Sequence, residues 1–184
     1  MAQKYSKLLP KHRQFIAQQQ MFFVATAESE GRVNVSPKGL DSLRILDDNR
    51  ILWLNLTGSG NETAAHVQKS ARMTLMFNAF TGPPLILRVY GQAESVHKND
   101  KNWQELYEQF DDYIGARQMF VLNIDLVQTS CGMAVPLYDY KQQRQQLLDS
   151  AKRKGTEKIK EYWAEKNQFS LDGKETHIVS KNIS

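Results

Sequence analysis

The residues best suited to chemistry in this chain form one short run, Thr57-Gly58-Ser59-Gly60-Asn61-Glu62-Thr63. It lies between the apolar stretch Ile51-Leu52-Trp53-Leu54-Asn55-Leu56 and the helix-like Ala64-Ala65-His66-Val67. A strand that passes through two glycines into a helix N-terminus exposes backbone N–H groups and the positive end of the helix dipole, a combination that suits a phosphate. Two nucleotide motifs are excluded. A P-loop needs Gly-Lys followed by Ser or Thr, and Gly60 is followed by Asn61. The dinucleotide fingerprint needs a third small residue, and here the glycines run into Asn61, Glu62 and Thr63. The same residues also make an ordinary strand-to-helix turn, capped by Ser59 or Asn61, with Glu62 favouring the dipole.

Other side chains could join that seat. Val35-Ser36-Pro37-Lys38-Gly39 closes a strand candidate, and neighbouring strand ends converge in an antiparallel sheet, so Ser36 and Lys38 are expected to face the same cavity as Thr57 to Thr63. A solvent-facing turn lysine held by Pro37 is the alternative. Arg88 lies inside Leu85-Ile86-Leu87-Arg88-Val89-Tyr90, where a cation needs a carboxylate of the chain or a bound anion. His66 reads as a capped or half-buried helix residue rather than a general base, and Cys131, without a His and carboxylate pattern, reads as a buried structural thiol. Neither a G-x-S-x-G elbow nor an H-E-x-x-H pair occurs. A phosphate seat without a nucleophile or metal set suits a protein that holds a cofactor carrying the chemistry.

The elements that must position these residues are mostly strands. Short apolar runs occupy residues 21–27, 32–36, 51–56, 73–77, 85–90 and 119–127, punctuated by Glu30-Gly31, Asp47-Asp48-Asn49 and Gly82-Pro83-Pro84. This pattern describes an antiparallel sheet curled into a barrel better than a parallel α/β sheet. In the last run Leu122, Ile124 and Leu126 fall on one face, and Asn123 and Asp125 on the other. Helices are expected after Pro10, from an N-cap at Asp100 through Trp103, Leu106, Tyr107 and Phe110, through the Gln-rich stretch before Gly155, and over 157–166 with Ile159, Tyr162 and Trp163 on one side. The tail from Gln168 is expected to be partly disordered. The result is a barrel domain over residues 1–136 and a C-terminal helical extension over 137–184, which must lie on the barrel or on a second subunit.

With 184 residues the chain fits one domain with extensions, and its 24 Lys+Arg against 20 Asp+Glu leave a net charge of +4. The densest basic run, Lys152-Arg153-Lys154, reads as a solvated helix face, so no nucleic-acid partner is expected. A single cysteine forms no intramolecular disulfide, and zinc-type Cys/His spacing is missing, so a reducing compartment and no metal are expected. The first residues lack an apolar leader core and no run approaches a membrane span, which predicts a cytoplasmic protein without a membrane partner.

In chain order, the segments Phe22-Phe23-Val24-Ala25-Thr26-Ala27, Glu30-Gly31-Arg32-Val33-Asn34-Val35-Ser36-Pro37-Lys38-Gly39, Trp53 to Thr63, and Arg88-Val89-Tyr90-Gly91 resemble the pyridoxamine 5′-phosphate oxidase-like flavoproteins, across residues 14 to 136. Within that group the chain looks most like an FMN-binding branch in which a Ser-Cys-Gly segment and a Tyr/Asn-rich extension follow the barrel, here Ser130-Cys131-Gly132 and residues 162 to 172. The resemblance implies a mainly β split barrel, antiparallel with flanking helices, acting as a homodimer. FMN would lie at the subunit interface and serve an oxidoreductase that works on a small-molecule substrate. It further implies FMN contacts from Ser36, Lys38, Thr57, Ser59, Asn61, Thr63 and Arg88. The strand around Val35 to Lys38 would follow the ring, and Thr57 with the Asn61–Thr63 turn would approach the phosphate. A non-catalytic flavin or haem carrier or sensor of the same fold is the alternative.

Two departures narrow what is implied. In the oxidase itself the phosphate turn carries an Arg-Lys pair, and the matching positions here are Glu62 and Thr63, so Lys38, Arg88 or a partner residue must supply the charge. The oxidase's C-terminal substrate-binding Arg and His set has no counterpart, so the resemblance implies flavin chemistry without oxidation of pyridoxamine phosphate.

Overall fold

A computed structural model describes residues 2–183. Its strands are β1 (Gln3–Tyr5), β2 (Phe22–Thr26), β3 (Asn34–Lys38), β4 (Leu43–Ile45), β5 (Arg50–Leu56), β6 (Arg72–Asn78), β7 (Ile86–Val96) and β8 (Ala116–Ser130). They form one antiparallel sheet in the order β3-β2-β6-β7-β8-β5-β4, with β1 added to β8. The sheet curls into a half-barrel flanked by helices: the curled antiparallel sheet expected from the strand pattern, and the split barrel that the resemblance implies. The six apolar runs became β2, β3, β5, β6, β7 and β8. The other two strands, β1 and β4, span three residues each, too few to show an alternation.

Inside the curl, Val24, Leu75, Leu87, Val89, Phe120 and Val127 are fully buried, and Trp53 stacks on Phe120 with ring centroids 5.1 Å apart. The opposite face of β5 sends Leu52 and Leu54 into a second cluster with Met119, Phe110 and Trp103, the last from α3 (Trp103–Tyr107). Burial on both faces explains why Ile51–Leu56 is apolar without alternation. The other helices before the extension are α1 (Pro10–Gln18) and α2 (Glu62–Lys69).

Two β-bulges re-aim side chains. Where β7 meets β8, Tyr90 pairs with Leu126 and Gly91 with Ile124, so Asp125 is the extra residue. The expected face of Leu122, Ile124 and Leu126 is thereby broken: Leu122 and Ile124 belong to the core, Leu126 does not, and Val127 takes the inward place. The second bulge, between β5 and β8, leaves Arg117 as the extra residue, because Asn55 pairs with Gln118 and Leu56 with Ala116.

Three expectations about helices and tail need correction. Asp100 does not cap α3; Asn102 precedes that helix, and the Asp100 carboxylate instead accepts the His97 N–H at 2.7 Å. The Gln-rich stretch has no regular structure before Gln146, and α4 (Gln146–Lys166) is bent at Gly155, whose φ of 71° is open to glycine. The tail is ordered: Phe169 bridges to Glu175, Ile178 of α5 (Ile178–Asn182) is fully buried, and Asn182 bonds His97. The extension lies on its own barrel, where Lys98 sits over the rings of Trp103 and Trp163. Among the described residues no helix is long and apolar enough to cross a membrane.

A Cβ at Gly91 would stand 2.0 Å from the Asn123 carbonyl oxygen across the β7–β8 bulge. Gly91→Ala should therefore destabilise the protein by about 3 kcal/mol, read as a lower urea midpoint with unchanged slope.

Candidate functional site

The glycine loop is held from beneath. The Trp163 indole N–H donates to Thr57 Oγ1 at 2.8 Å, and that hydroxyl donates to the Gly115 carbonyl at 2.8 Å. Asn167 Nδ2 donates to the carbonyls of Gly58 (3.2 Å) and Ser59 (3.4 Å), and Arg117 donates to the Gly60 carbonyl at 3.0 Å. The N–H and C=O of a trans peptide point in opposite directions, so three inward carbonyls turn the N–H groups of Ser59, Gly60 and Asn61 outward. None of these N–H groups has a protein acceptor among the described residues. They precede α2, where the helix dipole adds positive potential.

Arg117 supplies the charge beneath the loop. Its place as the bulged residue drives the side chain inward, where it is 2 % exposed. Its acceptors are neutral: the Gly60 carbonyl and Asn167 Oδ1 at 2.7 Å, with Nε left without a partner. Burial pushes the guanidinium well below its ordinary range, and no carboxylate opposes that shift. Gln118, the next residue, donates to Asn61 Oδ1 at 2.6 Å.

A cavity of about 550 Å³ opens beside the loop, lined by Lys38 from β3, Trp53 to Leu56 from β5, Thr57 and Gly58 from the loop, and Tyr140, Gln143 and Arg144 from the segment before α4. Gln143 fastens that segment across the mouth, accepting the Leu40 N–H at 3.2 Å and donating to the Gln20 carbonyl at 2.9 Å. Lys38 Nζ lies 5.2 Å from the centre of the Trp53 ring. Burial and then the Arg117 charge push the Lys38 ammonium down to about 8. Lys38 thus lines the cavity and feels the charge of Arg117 from behind the loop, and no carboxylate of the described residues acts on either.

The structure sorts the sequence candidates. Lys38 and Thr57 share the large cavity, and Ser59 lines a smaller one of about 170 Å³ under α4, together with Lys154. Ser36 stands between Asn34 and Lys38 on the half-buried face of β3 and does not reach the cavity lining. Asn61 and Thr63 are buried inside a polar network: Asn61 bonds Gln118, and Thr63 Oγ1 accepts from Asn34 Nδ2 at 3.1 Å. Asn61 occupies the position before α2 without capping it through its side chain. Arg88 lies outside the lining of this cavity and donates to Ser130 Oγ at 3.0 Å. Glu62 is turned toward the tail, accepting the Leu171 N–H at 3.0 Å. His66 is fully enclosed with Nδ1 3.1 Å from Thr26 Oγ1, whereas Cys131, expected to be buried, is exposed. Sequence reasoning missed Arg117, Trp163 and Asn167 as parts of the site. For Arg117 a signal existed, since Arg117-Gln118 adjoins an apolar run with no acid beside it.

The family model for pyridoxamine 5′-phosphate oxidase matches residues 8–131. The chain belongs to this family. The family protein ustO of Aspergillus flavus is 36% identical over 140 residues, covering 73% of this chain and 56% of that relative. The chain thus spans just over half the length of the relative it matches. Among solved structures, a candidate pyridoxamine 5′-phosphate oxidase of Lactobacillus delbrueckii shares the fold with a TM-score of 0.54 at 22% identity, covering 67% of this chain and 94% of that one. HupZ of Group A Streptococcus does so with a TM-score of 0.53 at 17% identity, covering 66% and 98%. The family match ends before α4, so Trp163 and Asn167 lie outside it.

The depressed Lys38 value has a consequence for stability. Below about 8 both folded and unfolded chains carry this proton, and the folded state bears the full cost of a buried cation. Between about 8 and the ordinary 10.5 the unfolded chain binds more protons, so the Lys38 contribution to stability rises with pH. Comparing urea midpoints of the wild type and Lys38→Met across this window should show the wild type gaining on the variant as pH increases; parallel curves would place Lys38 in solvent.

Proposed function

We propose that this protein binds FMN in the cavity between β3, β5 and the glycine loop, and uses it as an oxidoreductase on a small-molecule substrate. The observation that carries this reading is the half-buried Lys38 in the cavity wall with the buried Arg117 behind the loop, neither of them acted on by a carboxylate of the described residues, beside loop N–H groups that have no protein acceptor. Such a site is stable with an anion in it, and a phosphate ester satisfies both the charge and the N–H groups. Trp53 and Leu54 supply apolar wall for a ring system, and a volume of about 550 Å³ lies within the range of small-molecule sites. Bound FMN would supply two-electron redox chemistry at its ring. The protein's own side chains would then bind, orient and shield: Lys38 near the ring and phosphate charge, Arg117 behind the loop, and the Gln143-fastened segment over the mouth.

A haem carrier is less well supported. No histidine or cysteine lines this cavity, which leaves Tyr140 and Met21 as its residues of haem-ligating type. A homodimer accords with β3, an edge strand whose outer side exposes Val35 at 59 %, with Val33 at 70 % just before it.

Titration of the purified protein with FMN, followed by flavin fluorescence, should show binding at micromolar concentration. Lys38→Met should weaken it by about tenfold or more, while the ligand-free variant still unfolds in one cooperative transition. Failure of the wild type to bind added FMN would sink the proposal. Where FMN binds, photoreduction followed by exposure to oxygen and soluble electron acceptors separates turnover from simple carriage.

A further inference from the structure

The loop of the proposed phosphate seat is set by a residue far along the chain. Asn167, fully buried at the end of α4, donates from Nδ2 to the carbonyls of Gly58 and Ser59 and accepts on Oδ1 from Arg117. Its own carbonyl accepts from Thr176 Oγ1 at 2.6 Å, which ties it to the tail. An amide side chain suits this place, because its two N–H groups donate to two carbonyls while its oxygen accepts from a guanidinium. Its two donated bonds turn the N–H groups of Ser59 and Gly60 outward, and its acceptor steers the guanidinium that does the same for Asn61.

We propose that Asn167 is the positioning residue of the phosphate seat, and that the C-terminal extension thereby sets the protein's preference for a phosphorylated over an unphosphorylated flavin. This rests on the flavin reading above. Asn167 touches no ligand; it acts through the loop backbone and Arg117. Its position outside the family match means that the barrel motifs alone do not determine this preference.

The test titrates the full chain with FMN and, separately, with riboflavin, which lacks the phosphate. The wild type should bind FMN at least about tenfold more tightly than riboflavin, and Asn167→Ala should lose about tenfold in FMN affinity with riboflavin affinity within about twofold. Asn167→Asp keeps an acceptor for Arg117 but has no donor for the loop, and should likewise lose FMN preference. Thr176→Val loosens the tail without removing either loop contact and should keep it. The inference is overturned if the wild type does not discriminate, if the Asn167 variants keep the preference, or if they lose both flavins alike. Where circular dichroism shows Asn167→Ala unfolded, Asn167→Asp decides by the same criteria. A wild type that binds neither flavin overturns the flavin reading together with this inference, whereas a discriminating wild type with indifferent Asn167 variants overturns this inference alone.

Discussion

A guanidinium buried without a carboxylate is the constraint around which this molecule is arranged. Moving a cation from water into the interior costs several kcal/mol even after relaxation, and neutral acceptors return only part of that. Arg117 nevertheless sits there, held by the Gly60 carbonyl and Asn167. The bulge that puts it there, the loop that bends over it and the extension that supplies Asn167 are all geometrically required by its position. The orphaned Nε shows that the protein's own groups do not complete the arrangement.

On the flavin reading proposed above, this organisation answers the charge missing from the glycine turn. The Arg-Lys pair of the oxidase is replaced by Glu62 and Thr63, which on its face removes the positive charge a phosphate needs. The acid is turned to the Leu171 N–H, and the cations come from β3 and from the base of β8. Charge delivered from beneath a loop works over a shorter range of solvent than charge on its rim, and is less screened by salt.

Much of the barrel was legible because strand periodicity and turn residues act locally. Runs such as Ile51–Leu56 and Met73–Phe77 announce themselves in any context, and a glycine loop before a helix is local too. What escaped prediction depends on register. Leu126 was placed on the core face by strict alternation, and one extra residue at Asp125 moved it out. Arg117 was overlooked because its burial follows from a bulge, not from its neighbours. Trp163 read as part of an amphipathic helix and Asn167 fell just beyond its end; their loop partners lie 106 to 109 positions earlier, and no local pattern carries that information. The tail resembles a disordered segment by composition, yet Ile178 and Asn182 find buried places on a surface that only the folded barrel provides.

The dependence of the loop on Asn167 also orders events in time. All of the barrel strands are complete once Ser130 has been made, but the carbonyls of Gly58 and Ser59 acquire their donor only when a residue more than a hundred positions later arrives. Closing such a distance is entropically slow, and the segment that closes it folds on a surface already formed. During synthesis every barrel strand is therefore made before the residue that sets the loop. A nascent chain lacking α4 would hold Arg117 without its Asn167 acceptor and the Gly58 and Ser59 carbonyls without their donor.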